Sequence, residues 1–142
     1  MSLAVLTRWL VLICLSLCLN EVVSSAPLEQ YLGKHRVIVT FSAASTSPER
    51  LELHRQIEQY QCEFDDRELI HVDLIAGSNQ YSLLSQHFTV KGHHFSLLLI
   101  GKDGDLKMHT DTPNLKPVFV LIDKMPMRQK ERGASVCQSE DN

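Results

Sequence analysis

With 14 basic and 17 acidic side chains in 142 residues, the chain carries a formal charge of −3, too weak a field of either sign to mark a nucleic-acid binder. Its length suits one domain, since domains typically run to about 100–150 residues. No internal repeat and no heptad run is present.

Residues 1–25 read as a secretory signal. One basic residue, Arg8, precedes an apolar run from Trp9 to Leu19, and small residues Ser24, Ser25 and Ala26 surround the expected cut. The run is far shorter than the roughly 20 residues that cross a bilayer, and no later stretch exceeds it, so no membrane insertion is expected. The mature chain is then secreted, placing its cysteines in an oxidising compartment. Cys14 and Cys18 leave with the signal, so Cys62 and Cys137 remain. Three fates are open to them: one intramolecular bridge, free thiols, or a bridge to a second chain. There is no Asn-x-Ser/Thr acceptor for N-glycosylation.

The run Arg36-Val37-Ile38-Val39-Thr40-Phe41 is β-branched and nearly continuously apolar, which predicts a strand buried on both faces and central in its sheet. Ser47-Pro48-Glu49 then offers a capping hydroxyl, a proline for the first helical position and an acid for the first turn. Leu53, Ile57, Tyr60 and Phe64 continue at helical spacing, predicting one helix that exits at Asp65-Asp66. Leu69 to Ile75 predicts a second strand with Ile70, Val72 and Leu74 on one face, parallel to the first because the crossover is long. Tyr81, Leu84 and Phe88 fit a short helix before Gly92. Phe95 to Ile100 and Leu106 to His109 flank Lys102-Asp103-Gly104-Asp105, whose Asp-Gly pair predicts a hairpin. Leu115, Val118, Phe119, Ile122 and Met125 trace a last helix, with Pro113 before it and Pro126 ending it.

The order βαβαββα is that of a thioredoxin-like α/β fold, a four-stranded mixed sheet with helices on both faces, spanning residues 28–132. Residues 133–142 are small and polar and read as a disordered tail. Two stretches, Leu97-Leu98-Leu99-Ile100-Gly101-Lys102-Asp103-Gly104-Asp105-Leu106-Lys107 and Leu121-Ile122-Asp123-Lys124-Met125-Pro126-Met127-Arg128-Gln129-Lys130-Glu131, carry a more specific likeness. They resemble a secreted thioredoxin-like domain of unknown function found in sushi-repeat-containing proteins and in equarin-type, coiled-coil domain-containing extracellular matrix proteins. The likeness runs from about Leu32 to Glu131. It implies a thioredoxin-like fold and a place in extracellular matrix or cell adhesion, although this chain has a single such domain and no sushi repeats.

A redox thioredoxin needs a cysteine at the mouth of the first helix, where the dipole and free N–H groups favour a thiolate. Ser42-Ala43-Ala44-Ser45-Thr46-Ser47 stands there instead, and Gly92-His93-His94 stands where thioredoxins place a proline before the third strand. Cys62 falls near the far end of the predicted first helix, where the dipole would raise its pKa. His93 and His94 are adjacent and diverge on an extended chain, and His71 with Asp73 supplies only two ligands, so no metal site is predicted. Asp103-Gly104-Asp105 lacks the remaining ligands of a calcium loop. No catalytic residues and no cofactor are expected, and the chain reads as no enzyme.

Charge gives the one surface signal. Lys124, Arg128, Lys130 and Arg132 fall within nine residues with Glu131 the sole acid. Such cations also suit a helix C-terminus, but on an exported protein they could form an anionic-polymer site for a sulfated glycosaminoglycan. The sequence reading is thus a secreted non-catalytic binding module whose partners are extracellular matrix components, glycosaminoglycan or a cell-surface receptor. Two alternatives stand beside it: a secretory-pathway thiol oxidoreductase using Cys62 or Cys137, and a secreted signalling factor dimerised through Cys137.

Overall fold

The computed structural model describes residues 27–92, 94–131 and 137. The predicted signal, His93, Arg132 and the tail apart from Cys137 lie outside the described residues. After a 3₁₀ turn at Glu29–Tyr31, the elements in chain order are β1 (Arg36–Ser42), α1 (Pro48–Gln59), α2 (Gln61–Asp66), β2 (Leu69–Ile75), α3 (Asn79–His87), β3 (Ser96–Ile100), β4 (Leu106–Thr110), α4 (Leu115–Asp123) and α5 (Pro126–Glu131).

The strands lie in the order β2-β1-β3-β4, with β1 parallel to β2 and antiparallel to β3, and β3 and β4 forming the hairpin. Every residue of β1 is buried, as an interior strand covered on both faces requires. Its side chains alternate between two cores. Ile38 joins Leu53 of α1, Phe64 of α2, Leu97 and Leu99 of β3, and Leu115, Val118 and Ile122 of α4. Val37, Val39 and Phe41 face the other way, onto Leu74, Leu98, Ile100, and Tyr81 and Leu84 of α3. Helices therefore cover both faces of the sheet. Gly104, with φ +86°, turns the hairpin, a conformation that side-chain-bearing residues resist.

Three local expectations change. The helix from Pro48 breaks at Tyr60 (φ −110°, ψ 33°), so the apolar stripe is shared by two helices. Tyr60 packs edge-on against Phe119, and Phe64 remains buried in the same core. Ser47 precedes α1, but its hydroxyl accepts from the Ala44 N–H at 3.1 Å and leaves the helix uncapped by a side chain. Pro126 opens α5 instead of ending α4. It has no N–H to offer the Ile122 carbonyl, which accepts from Met125 at 2.9 Å, and its fixed φ suits a first helical position.

Candidate functional site

The C-terminal ends of β1 and β2 meet the start of α1, the corner where open α/β sheets usually bind ligands. Thr40 and Asp73 are direct neighbours across the β1–β2 pairing. Arg50 and His54, one turn apart on α1, reach down to the same carboxylate. Asp73 Oδ2 accepts from Arg50 Nε at 2.7 Å and from His54 Nε2 at 3.1 Å, and Asp73 Oδ1 accepts from the Thr40 hydroxyl at 3.2 Å. The single hydroxyl proton of Thr40 is thereby used, so the 2.9 Å contact between Thr40 Oγ1 and His71 Nε2 is a donation from the imidazole N–H.

Electrostatics follow from this chain of bonds. Burial lowers the His71 pKa to about 4, although Asp73 opposes the shift, so the ring is neutral at physiological pH. Burial alone would raise Asp73, but the hydrogen bonds from Arg50 and His54 outweigh it and hold the carboxyl below its ordinary range. Arg50 also donates to the Ser45 carbonyl at 2.8 Å, fixing the loop before α1. Thr40 is fully buried and Asp73 is bonded to both strand and helix, so the corner braces α1 to the sheet, while the His54 ring stays partly exposed and the buried Ser42 hydroxyl at the end of β1 finds no partner among the described residues. The adjoining loop, residues 43–46, presents methyl and hydroxyl side chains to solvent. The His71–Asp73 pairing on one strand face was visible in the sequence. Thr40, Arg50 and His54 were missed because the register between β1 and β2 brings Thr40 to Asp73 and the docking of α1 brings Arg50 and His54.

The opposite end of the domain holds the residues that the sequence had put forward. Cys62 and Cys137 are joined by a disulfide, with Cα atoms 5.8 Å apart. Cys62 lies in the first turn of α2, not at the end of a long helix, so the dipole argument against its reactivity no longer applies. The bridge borders a cleft of about 560 Å³ lined by Asp65, Asp66, Glu68, Arg128 and Glu131.

Arg128 is the main correction to the proposed basic stripe. It is 4% exposed, donates to the Asp66 carbonyl at 2.7 Å, and is ion-paired with the Asp66 carboxylate. Asp123 accepts from both Arg128 and Arg67, and Arg67 stacks 4.6 Å over the Phe119 ring. Arg36, 1% exposed, and Lys102 share Glu131 at 3.0 and 2.7 Å. Burial would raise the Glu131 pKa, but Lys102 and Arg36 together hold it low. Arg128 thus locks α5 onto α2 and cannot serve as a surface contact. Lys124 and Lys130 are exposed and make no ion pair among the described residues, and Arg132 lies outside them.

Among the described residues, no group of three or more His, Cys, Asp or Glu is placed to hold a metal, and no helix is long and apolar enough to cross a membrane.

Solved structures share this architecture at low identity. The reduced 2-Cys peroxiredoxin of Plasmodium vivax aligns with a TM-score of 0.58 at 13% identity, over 72% of this chain and 84% of its own. The mitochondrial 2-Cys peroxiredoxin of Plasmodium falciparum gives 0.52 at 15% identity, over 77% and 84%, and Fasciola hepatica thioredoxin gives 0.50 at 16%, over 67% and 84%. Such likeness establishes the thioredoxin-like fold and nothing of the chemistry. No curated protein sequence matches the chain. The family model described as "Domain of unknown function (DUF4174)" matches residues 27–131, nearly the whole of the folded part, and the chain belongs to that family.

Proposed function

We propose that this domain is a non-catalytic binding module, secreted, that acts on extracellular matrix components or a cell-surface receptor. One observation carries the reading: the mouth of α1 bears only hydroxyl and methyl groups, while the two cysteines of the mature chain are tied to each other about 18 Å away, beyond the twelve residues of α1. A hydroxyl of ordinary pKa cannot replace a thiolate in disulfide exchange or peroxide reduction. In the polar corner below that mouth, Asp73 is engaged by Thr40, Arg50 and His54, which suits a scaffold. Binding then falls to the surface, and Lys124 and Lys130 are the exposed cations that can meet a sulfated glycosaminoglycan.

The test is retention of the purified chain on heparin resin. Lys124→Glu with Lys130→Glu abolishes salt-sensitive retention if these side chains form the contact. Retention that is unchanged, or absent from the unmutated chain, overturns the glycosaminoglycan version.

A thiol oxidoreductase is the second reading, favoured by one specific feature: Cys62 is exposed at an open cleft. Against it stand Asp65, Asp66, Glu68 and Glu131 around the bridge, since neighbouring carboxylates disfavour a thiolate. Insulin-reduction and peroxide-consumption assays on the wild type and Cys62→Ser separate the readings; turnover lost with the substitution selects the enzyme. The Cys137-dimerised factor is disfavoured by the intramolecular bridge, which occupies both sulfurs.

A further inference from the structure

The two edges of the sheet are built differently. β4 is five residues long, carries Lys107, and its pairing with β3 is shifted at Leu99/Ile100, all devices that discourage further strand pairing. β2 is seven residues long, runs in unbroken register with β1, and contains no Lys, Arg or Pro. Its one charge, Asp73, is already neutralised by Arg50. Among the described residues no backbone group other than those of β1 pairs with the strand, apart from Ser78 N–H on the Ile75 carbonyl.

The direction of the free groups can be read from the ends of the ladder. Arg36 N–H donates to the Glu68 carbonyl and Ala76 N–H to the Ser42 carbonyl, so even-numbered residues from 68 to 76 turn their backbone groups towards β1. Leu69, His71, Asp73 and Ile75 therefore direct theirs outwards.

The sequence along this edge, Leu69-Ile70-His71-Val72-Asp73-Leu74-Ile75, is a palindrome in chemical class about Val72. Laid antiparallel on itself with Val72 at the two-fold axis, it sets His71 opposite Asp73, Leu69 opposite Ile75, and Ile70 opposite Leu74. The outward-facing residues fall into hydrogen-bonded pairs and Val72 meets its own copy. Other registers are worse. Centring on Asp73 or on His71 pairs only five of the seven residues, and the latter also sets Asp73 against Leu69.

We propose that β2 is a homodimer interface, through which two copies of this chain pair antiparallel about Val72 into one continuous sheet. The contact leaves the cleft at the disulfide and the exposed Lys124 and Lys130 unused.

Sedimentation equilibrium of the purified, oxidised chain, combined with amide hydrogen exchange at a series of concentrations, tests it. The expected result is a reversible monomer–dimer equilibrium in which the amides of Leu69, His71, Asp73 and Ile75 slow as dimer accumulates. Val72→Lys, which sets like charges together at the axis, should weaken association by about tenfold or more. Should that variant fail to fold, the exchange data on the unmutated chain decide alone. A monomer at every soluble concentration, a dimer in which those four amides exchange as fast as in the monomer, or protection that arises only with an added extended peptide overturns the proposal.

Discussion

Arg128 closes on Asp66 twice, through the carbonyl oxygen at 2.7 Å and through the carboxylate, joining α5 to the end of α2 across 62 residues of chain. A buried cation held by charged and backbone acceptors is costly to break from one side, because the remaining carboxylate loses its partner without regaining water.

Arg128→Ala should therefore lower unfolding stability by about 3–5 kcal/mol. Lys130→Glu, on an exposed position of the same helix, should change it by less than about 0.5 kcal/mol. Urea denaturation of both variants checks the contrast; equal effects would return Arg128 to the surface.

Acid should destabilise the domain from an unusually high pH. His71 has its pKa lowered to about 4 from 6.5, so its contribution is complete above about 6.5 and is lost as pH falls towards 4, on the order of 3 kcal/mol across that window. Asp73 and Glu131, both held below their ordinary values, lose their contributions at still lower pH and with the same sign. His71→Gln keeps an N–H for Thr40 but does not titrate, and should flatten the stability curve between pH 6.5 and 4. An unaltered slope would remove His71 from the account.

Reduction of Cys62–Cys137 should cost roughly 4 kcal/mol, from the loop-closure entropy of a 75-residue separation. Cys62→Ser should show the same loss and become insensitive to added reductant, as thermal melts with and without dithiothreitol would report. A melting temperature that reductant does not move would show that the bridge contributes nothing to stability.

At the polar corner, Arg50 and Asp73 should prove energetically coupled. A double-mutant cycle with Arg50→Ala and Asp73→Ala is expected to give roughly 1–3 kcal/mol, since the pair is partly buried and charge-assisted. A coupling near zero would show that Thr40 and His54 alone hold the carboxylate.

Much of the architecture was legible because it rests on short-range pattern. The continuous apolar run of β1 marked it as interior, the 4-3-4 spacing from Leu53 to Phe64 marked a core-facing helical stripe, and the Asp103-Gly104 pair marked the hairpin. The break at Tyr60 was not legible, because an apolar stripe keeps its spacing whether one helix or two carry it. Pro126 was equally ambiguous, since proline both ends a helix and opens the next.

Sequence alone determined the order of the four strands and the lack of a thiol at the first helix mouth, since each depends on residue type and local spacing. Only the tertiary structure decided which charges are buried. Arg128 reads as part of a basic stripe until the fold sets Asp66 beside it, and Thr40, Arg50, His54 and Asp73 form one constellation only through strand register and helix docking. Desolvation depends on neighbours distant along the chain, and linear spacing carries no record of them.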